Sequence, residues 1–449
     1  MSEHFVIIGG DAAGMSAASK ARRENPDLEI EVLEKGDWAS YGACGLPYYL
    51  KGDVESLEDL IAIPPEKFIK ERNINLRFNH EVTRISPEGN YLTVSAPEGK
   101  VNFTFDKLLI STGATACKPG IDGINSEGVF TLHGMEDGKK IKEYLEEFSP
   151  KSAAIIGGGY MGIEMVEALS TRGVEVHLVE MLPHVLSPFD PEISKRVEGY
   201  IEKFAELHLG QSVQRIKIQD KGKLSVRTVA DNIIAEMVLV ATGVVPEVSL
   251  AKEAGINLGP TGAIATDEYG RTNYSHIFAA GDCAEVKNVV TGQPDYIPLA
   301  LAANRHGRAI GQTVGGNPTR LSSVAGTAAL KVFDLEVART GIVDPERARK
   351  SGFNPVKSTI ETFSRAYYYP GSKPIKVSLI ADRDSKRLLG ASMVGEEGVS
   401  KRIDIIAAAL HGSFSVEQLE NLDLSYAPPF GPVWDPVLTA AKVLNGKLT

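Results

Sequence analysis

The chain has 449 residues, 43% of them hydrophobic, enough for two or three packed domains. Its formal charge of −10 argues against a nucleic-acid surface, whose footprint is basic, so anionic ligands have to be met by local features. Three widely separated cysteines with no CxxC pair indicate neither a disulfide scaffold nor a metal centre, and no run of 18 apolar residues offers a membrane span.

In chain order, Phe5 to Ile8 is a short apolar run ending in Gly9-Gly10-Asp11-Ala12-Ala13-Gly14, and the residues from Met15 onward read as a helix carrying Lys20, Arg22 and Arg23. The next strand, Glu29 to Leu33, ends at Glu34 and Lys35. In such a strand-turn-helix-strand unit, glycines let the backbone approach a pyrophosphate at the helix N-terminus, and the acid receives ribose hydroxyls. Ten residues after Glu34 stands Cys44, in Ser40-Tyr41-Gly42-Ala43-Cys44-Gly45-Leu46-Pro47. The residues from Gly45 read as a helix start with Pro47 early in it, and a helix N-terminus there is expected to favour the thiolate.

Leu108 to Ile110 is a strand closing on Ser111-Thr112-Gly113. A second fingerprint follows: Ala153 to Ile156 leads into Gly157-Gly158-Gly159-Tyr160-Met161-Gly162, then a helix bearing Glu164, then Val174 to Val179 ending at Glu180. The acid trails the last glycine by 20 positions in the first copy and 18 in the second, and the copies start 148 residues apart, so this is a domain-scale duplication. One glycine fingerprint is weak evidence because any tight strand-helix turn imitates it; two with matching acids are strong. The first copy departs from G-x-G-x-x-G, with Asp11 where the middle glycine falls.

Met237 to Val240 closes on Ala241-Thr242-Gly243, echoing the earlier Thr-Gly strand, and Ile277 to Ala280 ends in Gly281-Asp282. Asn304, Arg305 and Arg308 lie on another predicted helix. Glu180 favours NADH, since a carboxylate accepts from a ribose 2′-hydroxyl and repels a 2′-phosphate. Met181 to Phe189 contain no Arg or Lys, whereas His184 leaves NADPH open. From about Ala325 no third fingerprint occurs; Lys331 to Ala338, Val377 to Ile380 and Leu388 to Val394 read as strands, Ile405 to Leu410 as a helix, and the aromatic, Pro-rich Tyr426 to Trp434 suits a subunit interface. The expected organisation is α/β: a discontinuous dinucleotide domain (1–115 and 245–324), a second one (116–244) and an α+β appendage (325–449). The N-terminus shows no signal-like segment, and with unpaired cysteines this points to the cytoplasm.

Both fingerprints, the Thr-Gly strands, Gly281-Asp282 and Cys44 together resemble the flavoprotein disulfide reductase superfamily, across essentially the whole chain. The resemblance implies two Rossmann-like domains of glutathione reductase type and a C-terminal dimerisation domain. It implies FAD on Gly9, Gly10, Gly14, Glu34, Lys35, Thr112, Gly113, Gly281, Asp282 and Ala300, and the nicotinamide coenzyme on Gly157, Gly159, Tyr160, Gly162, Glu164, Glu180 and Gly243. Two-cysteine members carry a second cysteine five positions on, where this chain has Tyr49, so it is similar to the single-cysteine branch. That branch holds coenzyme A disulfide and persulfide reductases, oxygen-reducing NADH oxidases and NADH peroxidases. The peroxidases use a histidine at the position of Ala12, which disfavours them.

Arg365 to Gly371 and Leu424 to Phe430 look like the paired tyrosine motifs of the coenzyme A-dependent reductases. These imply Tyr368 and Tyr426 as catalytic partners of Cys44, supplied by the other subunit of a homodimer. Arg22, Asn304 and Arg305 are the implied contacts to coenzyme A. The first expectation is electron flow from NAD(P)H through FAD to Cys44 and a sulfur acceptor. An NADH oxidase working through a Cys44 sulfenic acid is the alternative, and a redox-sensing flavoprotein is a third.

Overall fold

The computed structural model describes residues 3–187 and 189–448. Three five-stranded sheets organise it. In the first, the central strand His4–Ile8 is flanked by Glu29–Leu33 and Lys107–Ile110, with Asn75–Arg77 and Ile277–Ala279 at the edges, all parallel. The second repeats the plan: Ser152–Ile156 lies between Glu175–Glu180 and Met237–Val240, with Ala205–Leu209 and Val129–Thr131 outermost, again all parallel. Phe5, Val6 and Ile7, like Ala153, Ala154 and Ile155, are fully buried, because helices and loops cover both faces of a parallel sheet.

A two-stranded antiparallel ribbon, Ala114–Ala116 against Val244–Pro246, carries the chain between the two units. Each Thr-Gly strand end is tied to the crossing strand by its threonine: the Thr112 hydroxyl donates to Glu247 O and the Thr242 hydroxyl to Cys117 O, both at 2.7 Å.

The third sheet is antiparallel, in the order Ala328–Val332, Leu335–Gly341, Leu388–Gly395, Pro374–Asp382, Pro355–Phe363. The expected single strand Lys331 to Ala338 is instead a hairpin, turning at Phe333 (φ 53°) and Asp334. Phe333 mimics strand patterning because its ring stacks on Phe204 of the second unit, with centroids 3.8 Å apart. The edge strand Pro355–Phe363, half polar, escaped the sequence reading.

Two buried carboxylates fasten this sheet to the second unit. Glu167 accepts from Lys51 Nζ (3.0 Å) and from the Phe333 amide (2.6 Å), and pairs with Lys331 (3.6 Å). Asp190, 1% exposed, accepts from the Ser378 hydroxyl (3.0 Å) and pairs with Lys357 (2.7 Å). Among the described residues no helix is long and apolar enough to cross a membrane.

A candidate redox site between two nucleotide folds

The two fingerprints are copies down to the atom. Gly9 and Gly157 have φ of +98° and +111°, and a Cβ on either would meet a carbonyl oxygen of the neighbouring strand, Ser111 O at 2.2 Å or Ala241 O at 2.4 Å. A Cβ on Gly14 would lie 2.0 Å from Gly9 O, and one on Gly162 1.9 Å from Gly157 O, so these two glycines let each helix seat on its own turn. Gly113, Gly159 and Gly243 are different, since a Cβ there would meet nothing within 4 Å. Gly113 and Gly243, at φ +72° and +99°, are explained by their left-handed backbone, whereas at Gly159 neither packing nor backbone conformation requires a glycine and the space beside the turn is open to a ligand.

The acids also match. Glu34 accepts from the Gly10 and Gly36 amides, both at 2.8 Å, and Glu180 accepts from Gly158 (2.6 Å) and Leu182 (2.8 Å). Each carboxylate is held in place at the rim of its glycine turn with lone pairs left for ribose hydroxyls. Lys35, beside Glu34, is exposed. His184 is engaged by the buried carboxylate of Glu198 at 3.1 Å, which weakens the case for it as a phosphate contact.

Cys44 lies in a single 3-10 turn, Ala43–Gly45, ahead of the six-residue helix Leu46–Lys51 that carries Pro47. The surroundings of the thiol work against the expected lowering of its pKa by this helix. Cys44 is exposed to solvent, yet partial desolvation by the surrounding residues, followed by the charges of Glu164, Asp282 and Asp11, pushes its pKa up. A helix this short has little dipole to set against three carboxyls. Those groups nonetheless place the sulfur where the elements meet: Asp11 comes from the first turn, Glu164 from the second fingerprint helix and Asp282 from the end of strand Ile277–Ala279.

Burial raises Asp11 to about 6, against the lowering effect of the Tyr41 amide, and raises Glu164 to about 7 with help from Glu167, so both are partly protonated near neutrality. For Glu164 this has a measurable consequence. A buried carboxyl whose pKa rises from 4.5 to about 7 stabilises the fold at acid pH, and that contribution is lost as pH climbs through this window. Relative to Glu164→Gln, the wild type is therefore expected to lose about 2 to 3 kcal/mol between pH 5 and pH 8. Parallel thermal unfolding curves for the two proteins at both pH values would refute this.

No second sulfur comes near. Cys283 is fully buried and its thiol donates to Ala280 O and Ile110 O, Cys117 sits in the connecting ribbon, and all three cysteines are free. Tyr49, at the place of a second redox cysteine, is 9% exposed in the core with Lys142 Nζ 5.0 Å over its ring.

A flavin dinucleotide fits this trough. The Tyr296 hydroxyl is buried without a partner among the described residues, and burial and then Asp282 push its pKa up. Asp282 itself is raised by burial, and Gly281, at φ +85°, holds the backbone turn before it. These are polar groups waiting for a polar ligand. Ala300 is exposed at the start of helix Ala300–Val314, which rides on the first fingerprint helix at Gly307 and Gly311; a Cβ there would meet Ala13 O at 2.1 Å and Ala17 O at 2.3 Å. Tyr160, beside the second turn, has its hydroxyl bonded by Arg339 Nε at 2.7 Å and its ring edge-on to Phe189.

Tyr368 and Tyr426 meet each other, hydroxyl to hydroxyl at 3.4 Å, on an exposed surface with Tyr367, Phe430, Val433 and Trp434. Neither has a hydrogen bond to Cys44 of its own chain. Of the implied coenzyme A contacts, Arg22 donates to the carbonyls of Arg72 (3.0 Å), Asn73 (2.7 Å) and Pro26, which orients its guanidinium and leaves two of the five N–H groups of an arginine for another partner. Arg305 is exposed with no ion-pair partner among the described residues, and Asn304 accepts from Ser16 Oγ at 2.7 Å. Tyr296, Arg339 and Tyr48, whose pKa is raised by burial, Glu164 and Glu167, went unnoticed in the sequence because no motif marks them; only tertiary placement does.

Comparison with known proteins agrees with this architecture. The family model described as pyridine nucleotide-disulphide oxidoreductase matches residues 3–307, and that of the dimerisation domain of the same family matches 327–436. The chain is 38% identical over 446 residues, 99% of each protein, to the NAD(P)H coenzyme A polysulfide/persulfide reductase of Pyrococcus horikoshii. It superposes on a NAD-dependent persulfide reductase from A. fulgidus with a TM-score of 0.95 at 37% identity, covering 99% of this chain and 83% of that one. The water-forming NADH oxidase of Lactobacillus brevis gives the same TM-score at 28% identity, covering 100% of this chain and 99% of that one.

Proposed function

We propose, from the premise that the chain belongs to the pyridine nucleotide-disulphide oxidoreductase family, that it is an FAD-dependent NAD(P)H oxidoreductase delivering electrons through Cys44 to a coenzyme A-linked sulfur acceptor. The observation that carries this reading is a solitary sulfur at the convergence of both nucleotide units, with Tyr49 where a second cysteine would stand. Coenzyme A disulfide, a coenzyme A persulfide and polysulfide are the acceptors this chemistry admits.

FAD, when bound, relays two electrons from the nicotinamide to sulfur. Gly9, Gly10 and Gly14 shape its pyrophosphate turn, Glu34 takes its ribose, Thr112, Gly113 and Asp282 close on its polar chain, and Tyr296 supplies a free hydroxyl. Gly157, Gly159, Gly162 and Gly243 shape the NAD(P)H site, with Glu180 on the adenosine ribose. Tyr160 shields the path until the nicotinamide displaces it, and Glu164 lines the same passage as a carboxyl able to hold a proton near pH 7.

As thiolate, Cys44 attacks one sulfur of the acceptor, forming a mixed disulfide or persulfide and releasing the other sulfur as thiolate or sulfide. Two electrons and a proton from solvent then restore the free Cys44 thiol and the second product. The Cys44 proton leaves against the pull of three carboxyls, so protonated Asp11 and Glu164 ease that step. Tyr368 and Tyr426, whose hydroxyls already touch, reach the sulfur of the partner in a homodimer and donate to the leaving thiolate. Arg305 is a phosphate contact available for coenzyme A. With unpaired cysteines, the setting is a reducing one, the cytoplasm.

Oxygen reduction through a Cys44 sulfenic acid is the second reading, favoured by the likeness to a water-forming NADH oxidase. Intact-mass spectrometry of the untreated protein separates the two: a reducible adduct of coenzyme A mass on Cys44 is expected. An unmodified or sulfenic Cys44, with NADH consumption driven by oxygen and not by coenzyme A disulfide or persulfide, would establish the oxidase instead.

A further inference from the structure

On the second sheet, away from the sulfur, His177, Glu206 and His208 come together. In the parallel register of strands Glu175–Glu180 and Ala205–Leu209, His177 stands opposite Glu206, and His208 is two residues further along, so all three side chains leave the same face. His177 Nδ1 is 3.3 Å from His208 Nε2 and 3.4 Å from Glu206 Oε2, and His208 Nε2 is 3.7 Å from Glu206 Oε1. Nitrogen and oxygen ligands about 2.0 to 2.1 Å from a tetrahedral ion stand roughly 3.3 to 3.4 Å apart, so the His177–His208 and His177–Glu206 pairs already have that spacing, while the His208–Glu206 pair, made through the carboxylate's other oxygen at 3.7 Å, is wider and closes by a turn of the exposed Glu206 side chain.

A separate set of contacts fixes which nitrogen is free. His208 Nδ1 is 3.1 Å from Asp231 Oδ2, and the same carboxylate accepts from Gln211 Nε2 at 2.8 Å. The carboxylate keeps the proton on Nδ1 and leaves the Nε2 lone pair pointing at His177 and Glu206, the arrangement by which carboxylates orient metal-binding imidazoles. His208 is buried and His177 half-buried, while Glu206 is exposed, giving an ion a way in and a solvent-facing fourth position.

We propose that His177, Glu206 and His208 bind one divalent first-row transition ion, with zinc the best fit to two imidazoles and a carboxylate at tetrahedral spacing. No ligand motif marks the site in the sequence, because the two histidines lie 31 residues apart on different strands and only Glu206 and His208 share one. The bound ion staples the edge strand Ala205–Leu209 to the strand ending in Glu180. The Gln211 amide, just beyond that edge strand, donates to Glu180 O at 2.9 Å, so the staple bears on the acid of the second fingerprint.

Zinc chloride titrated calorimetrically into the full-length, FAD-loaded Cys44→Ser protein tests this, the substitution removing the reactive thiol as a competing ligand. One ion per chain is expected, unaffected by millimolar magnesium. Glu206→Gln and His177→Ala should each weaken binding at least tenfold, and Asp231→Asn, which touches no ion, by about 10- to 100-fold. Anomalous diffraction at the zinc edge should give a peak between the two imidazoles. A plain hydrogen-bonded histidine pair predicts none of this. Absence of saturable binding, or binding of undiminished strength in Glu206→Gln, an exposed and isosteric change that leaves the fold alone, overturns the proposal.

Discussion

Cys44→Ser is expected to abolish NAD(P)H-dependent reduction of sulfur acceptors, by a factor of about a thousand or more, as loss of a nucleophile does. Flavin content and bleaching of the flavin by NADH should survive. The separation of the two half-reactions follows from the proposed assignment, in which glycine turns, acids and Tyr160 serve the first half and Cys44 the second. Stopped-flow absorbance for the first half and acceptor-dependent turnover for the second make the measurement. Sulfur turnover that persists in the variant would remove Cys44 from the chemistry altogether. The acidic surroundings of the thiol add a feature to the wild type, since its second half-reaction should quicken toward alkaline pH as the raised thiol ionises.

Gly14→Ala should cost the first unit both stability and flavin. The added carbon would sit 2.0 Å from Gly9 O, a backbone atom, and 2.9 Å from Ser111 Oγ. The hydroxyl can turn away but the carbonyl cannot yield without lifting the Ala12–Glu24 helix off its sheet, and overpacking of this kind costs typically about 1 to 3 kcal/mol. Loss of FAD is expected to accompany the lower unfolding temperature, because the helix N-terminus and the turn move together. Gly159→Ala provides the contrast. Its Cβ has nothing within 4 Å, so stability and flavin content should be unchanged while the KM for the nicotinamide coenzyme rises. Flavin absorbance per chain after gel filtration, with thermal unfolding, reads both variants; a fully flavinated, equally stable Gly14→Ala would show that the helix has slack the structure denies it.

Much of this was legible in the residues. Glycine turns must repeat wherever a backbone approaches a phosphate, so both fingerprints, their acids and the doubled sheet could be read from spacing alone, and the lone cysteine stood out by the absence of a partner. What escaped was decided by three-dimensional neighbours. The direction of the Cys44 pKa depends first on desolvation by its three-dimensional neighbours and then on Glu164 and Asp282, more than a hundred residues away, while the local signal, a helix start, pointed the other way. That the turns at Pro26 and Arg72-Asn73 hold the Arg22 guanidinium through their carbonyls could not be read from its helix face. The Phe333 turn hid inside an apolar run because that ring packs across a domain boundary.

The carboxylate of Glu167 ties together the helix following Cys44, the second nucleotide unit and the turn at Phe333. A thiol mounted in this way does not commute between donor and acceptor, as it would on a swinging arm; the distance over which charge hops is set once, when the chain folds. Reach must then be supplied by the incoming molecule, which favours acceptors that present their sulfur at the tip of a long, slender tether and disfavours bulky protein disulfides.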